Sequence, residues 1–498
     1  MAVEKPGPDY LRVLAVADRG ENNERDWLRD AAEAFLADKD WTPPLDVVLP
    51  SGFVLDKSFG AVALGAISPA DFVFEREVDS ERKIALASTL TPGGSKYFAI
   101  RGYIKPTSPT AIPQQIDGWD LYADPSIQTS LTCGTDPAVG SIQDAQAKLD
   151  VARLMGSKLH GAGVAVALVD SGIFLPHLTR INLLTGKDEK DFMRPRPKYP
   201  IARRAAGELP ILDCEHSWKP RRVATPTGGH RIGHGTMCAY NVLAIAPRAT
   251  LLDYPSLIAR PPGDHTVRGT VSAAMHAYVK LLSFWTQKPH PQYTALVVNN
   301  SWGIFHPCEE DFPPGHPGRF IDNGRHWFHC LVWHLSIFGA DIVFSAGNGG
   351  LPCPAPPFLH VTNGSIRGAN AYAEVLTVAG CDVNDQRVGY SSQGPAVSFY
   401  PSPTPDKPDL TAYTHFLGSQ VFGEREPDRG TSTACPIAAG CVAALRTKLS
   451  ASAIPSMKMF DALRDTARPI GTAGWNKDYG RGIIDPVAAG RKLGLTIP

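Results

Sequence analysis

The chain has 498 residues, 43% apolar and 20% charged, and its 49 Lys and Arg balance 49 Asp and Glu. That length supports a large core and two domains, and zero formal net charge gives no global attraction to nucleic acid or a membrane surface. The opening segment lacks the basic start and apolar run of a secretory signal, and no apolar run nears the ~20 residues of a membrane span, so a cytoplasmic protein is expected. Nine cysteines at irregular spacing read as reduced thiols rather than a disulfide framework.

In chain order, "YLRVLAV" and "PLDVVLP" read as strands. Between them Leu28, Ala32, Phe35 and Leu36 share one face of a helix. "FVFERE" reads as a strand, "SERKIALAS" as a helix, and "KYFAIRGYI" and "IDGWDLY" as further strands. This mix predicts a small α+β domain over 1–125, its sheet covered on one face. The turn-rich passage that follows marks a linker over 126–145, and a larger domain fills 146–498. There a helix around Leu149, Ala152 and Arg153 leads into "GVAVALVD", an unbroken apolar run of the kind a parallel sheet buries. "ATLLDYP", "ALVVNNS", "ADIVFSAGN" and "VLTVAGC" repeat that grammar, with helical stretches around 270–285 and 326–338. The expected fold is α/β, doubly wound, with a mainly parallel sheet and helices on both faces.

In such folds chemistry sits at the carboxyl ends of strands. "GVAVALVDSGI" ends a strand on Asp170, which could orient a histidine or merely cap a turn. "HRIGHGTMCAY" puts His234 between glycines that let another side chain approach the imidazole. "RGTSTACPIAAG" exposes Ser432 among small residues at a helix start, but a serine at pH 7 needs a base and an acid to become a nucleophile. "ADIVFSAGNGG" ends a strand near Asn348, whose amide could donate to an oxyanion together with the Ser432 N–H.

The words "VALVDSGI", "GHGT", "VVNNSWG", "SAGN" and "GTSTACP", in this order across residues ~160–490, resemble the subtilisin-like serine proteases. The resemblance implies Asp170 as histidine orienter, His234 as general base, Ser432 as nucleophile and Asn348 as oxyanion donor. It implies that Ser301, Trp302 and Gly303 form an edge on which an extended peptide adds as a strand, with Ala346 and Gly347 on the opposing pocket wall. The expected activity is therefore endopeptidase, through an acyl-enzyme, on peptide or protein substrates. A peptide ligase or macrocyclase on the same site, and a peptide-binding pseudoprotease, are the other readings. The N-terminal domain resembles the pro-domains of this family, which implies an intramolecular inhibitor or chaperone whose sheet packs on the protease while residues ~123–141 run toward the cleft. One branch of the family places a free cysteine where Cys238 stands, beneath the imidazole, and is sensitive to thiol-binding metals.

Two positions depart from the family pattern: Met237 and Ile437 stand where histidines are usual, and are expected to pack or support. The segment 181–231 carries eleven Lys and Arg against six Asp and Glu, a solvated basic loop or a rim that selects acidic substrates. His326, His329, Cys330 and His334 have helical spacing, with His306, Cys308 and His316 upstream, but this helix must bury Trp327, Leu331, Trp333 and Leu335, so structural histidines are expected rather than zinc ligands. No cofactor is expected. A structural calcium is open, though no loop has the repeated carboxylates of a recognisable site.

Overall fold

The computed structural model describes residues 6–498 except 21–23, 45–46, 109–110, 130–135, 180–207, 232, 260–266, 288–289, 305–308, 351–363 and 398–405. Its first part runs β1 (Leu11–Asp18), α1 (Trp27–Leu36), β2 (Val54–Leu55), β3 (Ala61–Gly65), α2 (Ser80–Thr89), β4 (Tyr97–Ile104), β5 (Gln115–Ile116), β6 (Trp119–Ala123) and β7 (Ser126–Gln128). The larger part runs α3 (Ile142–Lys148), α4 (Val151–Gly156), β8 (Val164–Asp170), α5 (Leu175–Thr179), α6 (His234–Ile245), β9 (Thr250–Pro255), β10 (Arg268–Thr270), α7 (Val271–Gln287) and β11 (Ala295–Asn300). It continues with α8 (Trp327–Ile337), β12 (Asp341–Ser345), β13 (Leu376–Cys381), β14 (Leu410–Tyr413), α9 (Thr431–Arg446), α10 (Ser456–Thr466) and α11 (Pro486–Lys492).

The apolar runs of the larger part become one parallel sheet in the order β14-β13-β12-β11-β8-β9. Alternation divides β8, β9, β11, β12 and β13 between two cores. Ala165, Ala167 and Val169 of β8 face the core that holds α7 and α8, while Val164, Val166 and Leu168 face the core of α6 and α9. Helices thus cover both faces, as a doubly wound sheet requires. The strand order reverses between β8 and β11, so the crevice beyond their carboxyl ends is the expected site location. At the other end of α9, Arg446 is fully buried and pairs with Asp341 at 2.6 Å, tying the helix to the start of β12. Among the described residues no helix is long and apolar enough to cross a membrane.

The N-terminal sheet is antiparallel, ordered β2-β4-β1-β6-β5 with β3 also on β4. Several readings of this region need correction. Residues 47–50 of "PLDVVLP" are not a strand, since Pro43, Pro44 and Pro50 restrict and de-donate the segment; residues 45–46 lie outside the described ones. "FVFERE" is also irregular. Its alternation serves side-chain plugging instead: Phe72 meets Trp333 edge-on at 4.8 Å, and Phe74 stacks on His329 at 4.0 Å. The sheet is not covered on one face only, because Val13 through Ala17 are consecutively buried. Helices of the larger part add the cover: α7 packs against β3, and Tyr97 lies 5.3 Å from Trp327. One continuous apolar core therefore joins the two parts. The expected linker holds structure at both ends, β7 and the start of α3, and the helix read around Leu149 is two helices broken at Asp150, whose φ is 53°.

Candidate active site

Asp170 is the last residue of β8 and is wholly buried. Its Oδ1 accepts the His234 Nδ1–H at 2.8 Å and the Ser171 N–H at 2.6 Å. With its Nδ1 proton donated to a carboxylate, the imidazole keeps the Nε2 lone pair. His234 opens α6, and the helix can start this close because residue 235 is glycine: a Cβ there would fall 2.5 Å from the Gly172 carbonyl oxygen. The Ser171 hydroxyl accepts the Gly235 N–H at 2.9 Å and fastens the helix start to the strand end.

Ser432 is the second residue of α9. Pro436 lies within that helix and has no N–H, so the Ser432 carbonyl loses its ordinary helical partner. Two other donors serve it: the Ser301 hydroxyl at 3.1 Å and the Cys238 thiol at 3.4 Å. Cys238, one turn along α6 from His234, also lies 4.0 Å from His234 Nδ1 and 3.7 Å from Asp170 Oδ2. The thiol is therefore the packing link between the two helix starts. Burial, with Asp170 nearby, pushes it well above the ordinary thiol range. The Ser432 hydroxyl itself donates to the Ser301 carbonyl at 3.3 Å.

Asn348 follows β12, and its Oδ1 accepts both the Thr431 N–H at 2.9 Å and the Thr431 hydroxyl at 3.0 Å. That orients the amide nitrogen toward Gly430, where a Cβ would sit 2.9 Å from Asn348 Nδ2 and 3.5 Å from the Ser432 nitrogen. The Thr431 hydroxyl in turn accepts the Gly347 N–H at 2.9 Å. Thr431 thus positions both sides of the "SAGN" turn. Nothing in the sequence separates it from an ordinary helix-start threonine.

The expected peptide edge is divided by burial. Trp302 is fully buried against Phe344, and its carbonyl is taken by Asn370, so its side chain anchors the edge from below. Gly303 exchanges both backbone hydrogen bonds with Gln128, at 3.0 and 3.1 Å. On the other side β7 pairs antiparallel with β10, and the Thr129 N–H reaches the Val267 carbonyl at 3.0 Å. Residues 126–129 are therefore the middle strand of a three-strand arrangement beside Ser432. The β10 edge carries no sequence signal of its own. Ala346 and Gly347 are both buried: the Ala346 N–H is spent on Val378 and the Gly347 carbonyl accepts from Ser392.

The remaining signals fall apart from this centre. His326 caps α8, accepting the Phe328 N–H at Nδ1 and giving Nε2 to the Ala123 carbonyl. His329 meets Gly324 and Glu374, and His334 meets the Cys330 carbonyl. Each imidazole has a partner within the fold. Met237 accepts the Thr433 hydroxyl at 3.5 Å and Ile437 is buried, both supporting roles. Residues 181–207 of the basic segment, with His306 and Cys308, lie outside the described residues. Among the described residues, the one group of acidic, histidine and cysteine side chains close enough to share an ion is Asp170, His234 and Cys238.

Several known proteins are similar to parts of this chain. Bacillopeptidase F of Bacillus subtilis (strain 168) is 30% identical over 208 residues, 40% of this chain but 12% of the length of that much longer relative. Two solved structures of MycP1, one with its N-terminal propeptide removed and one described as from the ESX-1 type VII secretion system, are each 19% identical. They have TM-scores of 0.45 and 0.44, cover 71% and 74% of this chain, and are themselves covered to 98% and 90%. The subtilase family model matches residues 161–482, from the start of β8 to the segment before α11. The chain belongs to the subtilase family of serine peptidases.

Proposed function

We propose that the chain is a serine endopeptidase acting through an acyl-enzyme on Ser432. The observation that carries this is the Asp170–His234 hydrogen bond at 2.8 Å, joined through Cys238 to the helix start that bears Ser432. A substrate strand pairs with Gly303 as Gln128 does, and an N–H two residues further along takes the Ser301 carbonyl. That releases the Ser432 hydroxyl, which turns to His234 Nε2, gives up its proton and attacks the carbonyl. Asn348 Nδ2 and the Ser432 N–H receive the oxyanion. The imidazolium, stabilised by Asp170, protonates the leaving amine, and water repeats the cycle on the ester.

The test is labelling by a serine-directed fluorophosphonate, located by peptide mapping, with mass spectrometry of products from a defined peptide. Ser432 should carry the label and the products should be hydrolysed. Unlabelled protein that still binds the peptide supports the pseudoprotease reading, and joined or cyclised products support the ligase reading.

We also infer that the N-terminal part is an intramolecular inhibitor. The support is β7, which lies on Gly303 and β10 as a substrate would, with Ile127 fully buried. The shared core adds a chaperone role, since removing residues 6–128 would bare the apolar faces of α7 and α8.

A further inference from the structure

A cavity of about 690 Å³ lies between the N-terminal sheet and the larger part, and Ser432 is not among its lining residues. Arg12, Lys57 and Arg101 line it on one side, and Arg222 and Arg268 on the other. Asp40, itself 2.8 Å from Arg221, is the one carboxylate among its described lining residues. Arg12 and Arg101 are balanced from behind by buried Asp124 at 3.0 Å and Asp56 at 2.7 Å. Lys39 and Lys57 have no carboxylate partner among the described residues, and so the cavity keeps a positive surplus.

Two buried polar groups in the same wall point independently to a ligand. Trp218 is 6% exposed and its Nε1–H has no hydrogen-bond partner among the described residues. His276 is 8% exposed, sandwiched between Phe35 at 4.1 Å and Phe59 at 3.8 Å, and its Nε2 likewise has no partner among the described residues. Native folds rarely leave such groups unsatisfied. An indole N–H can only donate, as can Lys and Arg, so the missing partner must be rich in acceptors and negative. A peptide would bring N–H donors of its own, for which these walls offer few acceptors. A compact phosphate-bearing anion brings acceptors alone, and guanidinium forks match it.

We propose that this cavity binds a compact polyanion of the oligophosphate class, which bridges cations of the two parts and clamps them together. Ser126, the first residue of β7, lines the same cavity, so the ligand would also steady the strand on Gly303 and β10. The binding itself is independent of the peptidase assignment.

The test is titration of the full chain, carrying Ser432→Ala to keep it intact, with inorganic tripolyphosphate by calorimetry and tryptophan fluorescence. Saturable binding with a change in indole emission is expected. Lys57→Gln with Arg222→Gln should weaken it about tenfold or more. Trp218→Phe, which keeps the packing and removes the N–H, should weaken it roughly tenfold. Lys458→Glu, on α10 and outside the cavity lining, should leave it unchanged. Binding that is absent, or unaltered in both cavity variants, overturns the proposal. A heptaglutamate peptide binding as tightly as tripolyphosphate overturns the phosphate assignment.

Discussion

A thiol reagent at Cys238 should silence the enzyme by displacing its histidine. The sulfur is fully buried, with Ser432 O at 3.4 Å, Asp170 Oδ2 at 3.7 Å and His234 Nδ1 at 4.0 Å. No further atom fits among those three without moving one. The carbonyl belongs to a helix backbone and Asp170 is held by the Ser171 N–H, so the imidazole yields. A shift of ~1 Å at a reacting group can cost about 10²-fold in rate, and that is the expected loss after one organomercurial adds. Thiolate is the reacting form, and burial with Asp170 raises this thiol's pKa, so inactivation should be slow near neutrality and quicken as pH rises. The assay is kcat/KM on a peptide substrate against time of exposure, with intact mass counting the additions. Cys238→Ala should keep most activity, because the Ser301 hydroxyl still serves the Ser432 carbonyl, and should lose most of the sensitivity. Exposed Cys214 will also react, but without loss of rate. If Cys238→Ala is as sensitive as the parent, the argument fails and suspicion moves to Cys435, whose Sγ lies 3.6 Å from the Asn300 carbonyl.

Ser432→Ala or His234→Ala should abolish turnover with the fold intact by circular dichroism. Asn348→Ala should lower kcat roughly 10²–10³-fold with little change in KM, and a kcat within a few-fold of the parent would remove the oxyanion role. Gln128→Pro deletes the N–H that Gly303 receives, so the full chain should cleave peptides faster; unchanged activity would leave the N-terminal part an accessory. Arg446→Ala strands the fully buried Asp341 and should cost about 3–5 kcal/mol in urea unfolding, whereas Arg446→Met with Asp341→Leu should cost much less.

Much of the peptidase part was legible because its information is local. β8, β11, β12 and β13 announce themselves as apolar runs, since a strand buried on both faces admits nothing else. Asp170, His234, Asn348 and Ser432 stand at strand and helix ends in words whose glycines answer to close backbone approach, as at Gly235. Even the thiol beneath the imidazole followed from i,i+4 spacing once α6 began at His234. The N-terminal part was less legible. β2 and β3 are too short to show a period, and "FVFERE" alternates like a strand although its phenylalanines plug α8 and the Glu75 carbonyl accepts from Trp333 instead of a neighbouring strand. What joins distant segments belonged to the tertiary structure alone: β7 on Gly303, the shared core, the donors at the Ser432 carbonyl, and a cavity walled by cations from both parts. Periodicity reports how one segment presents its faces. Which faces meet is decided by the whole chain burying its apolar surface at once, and no single stretch contains that term.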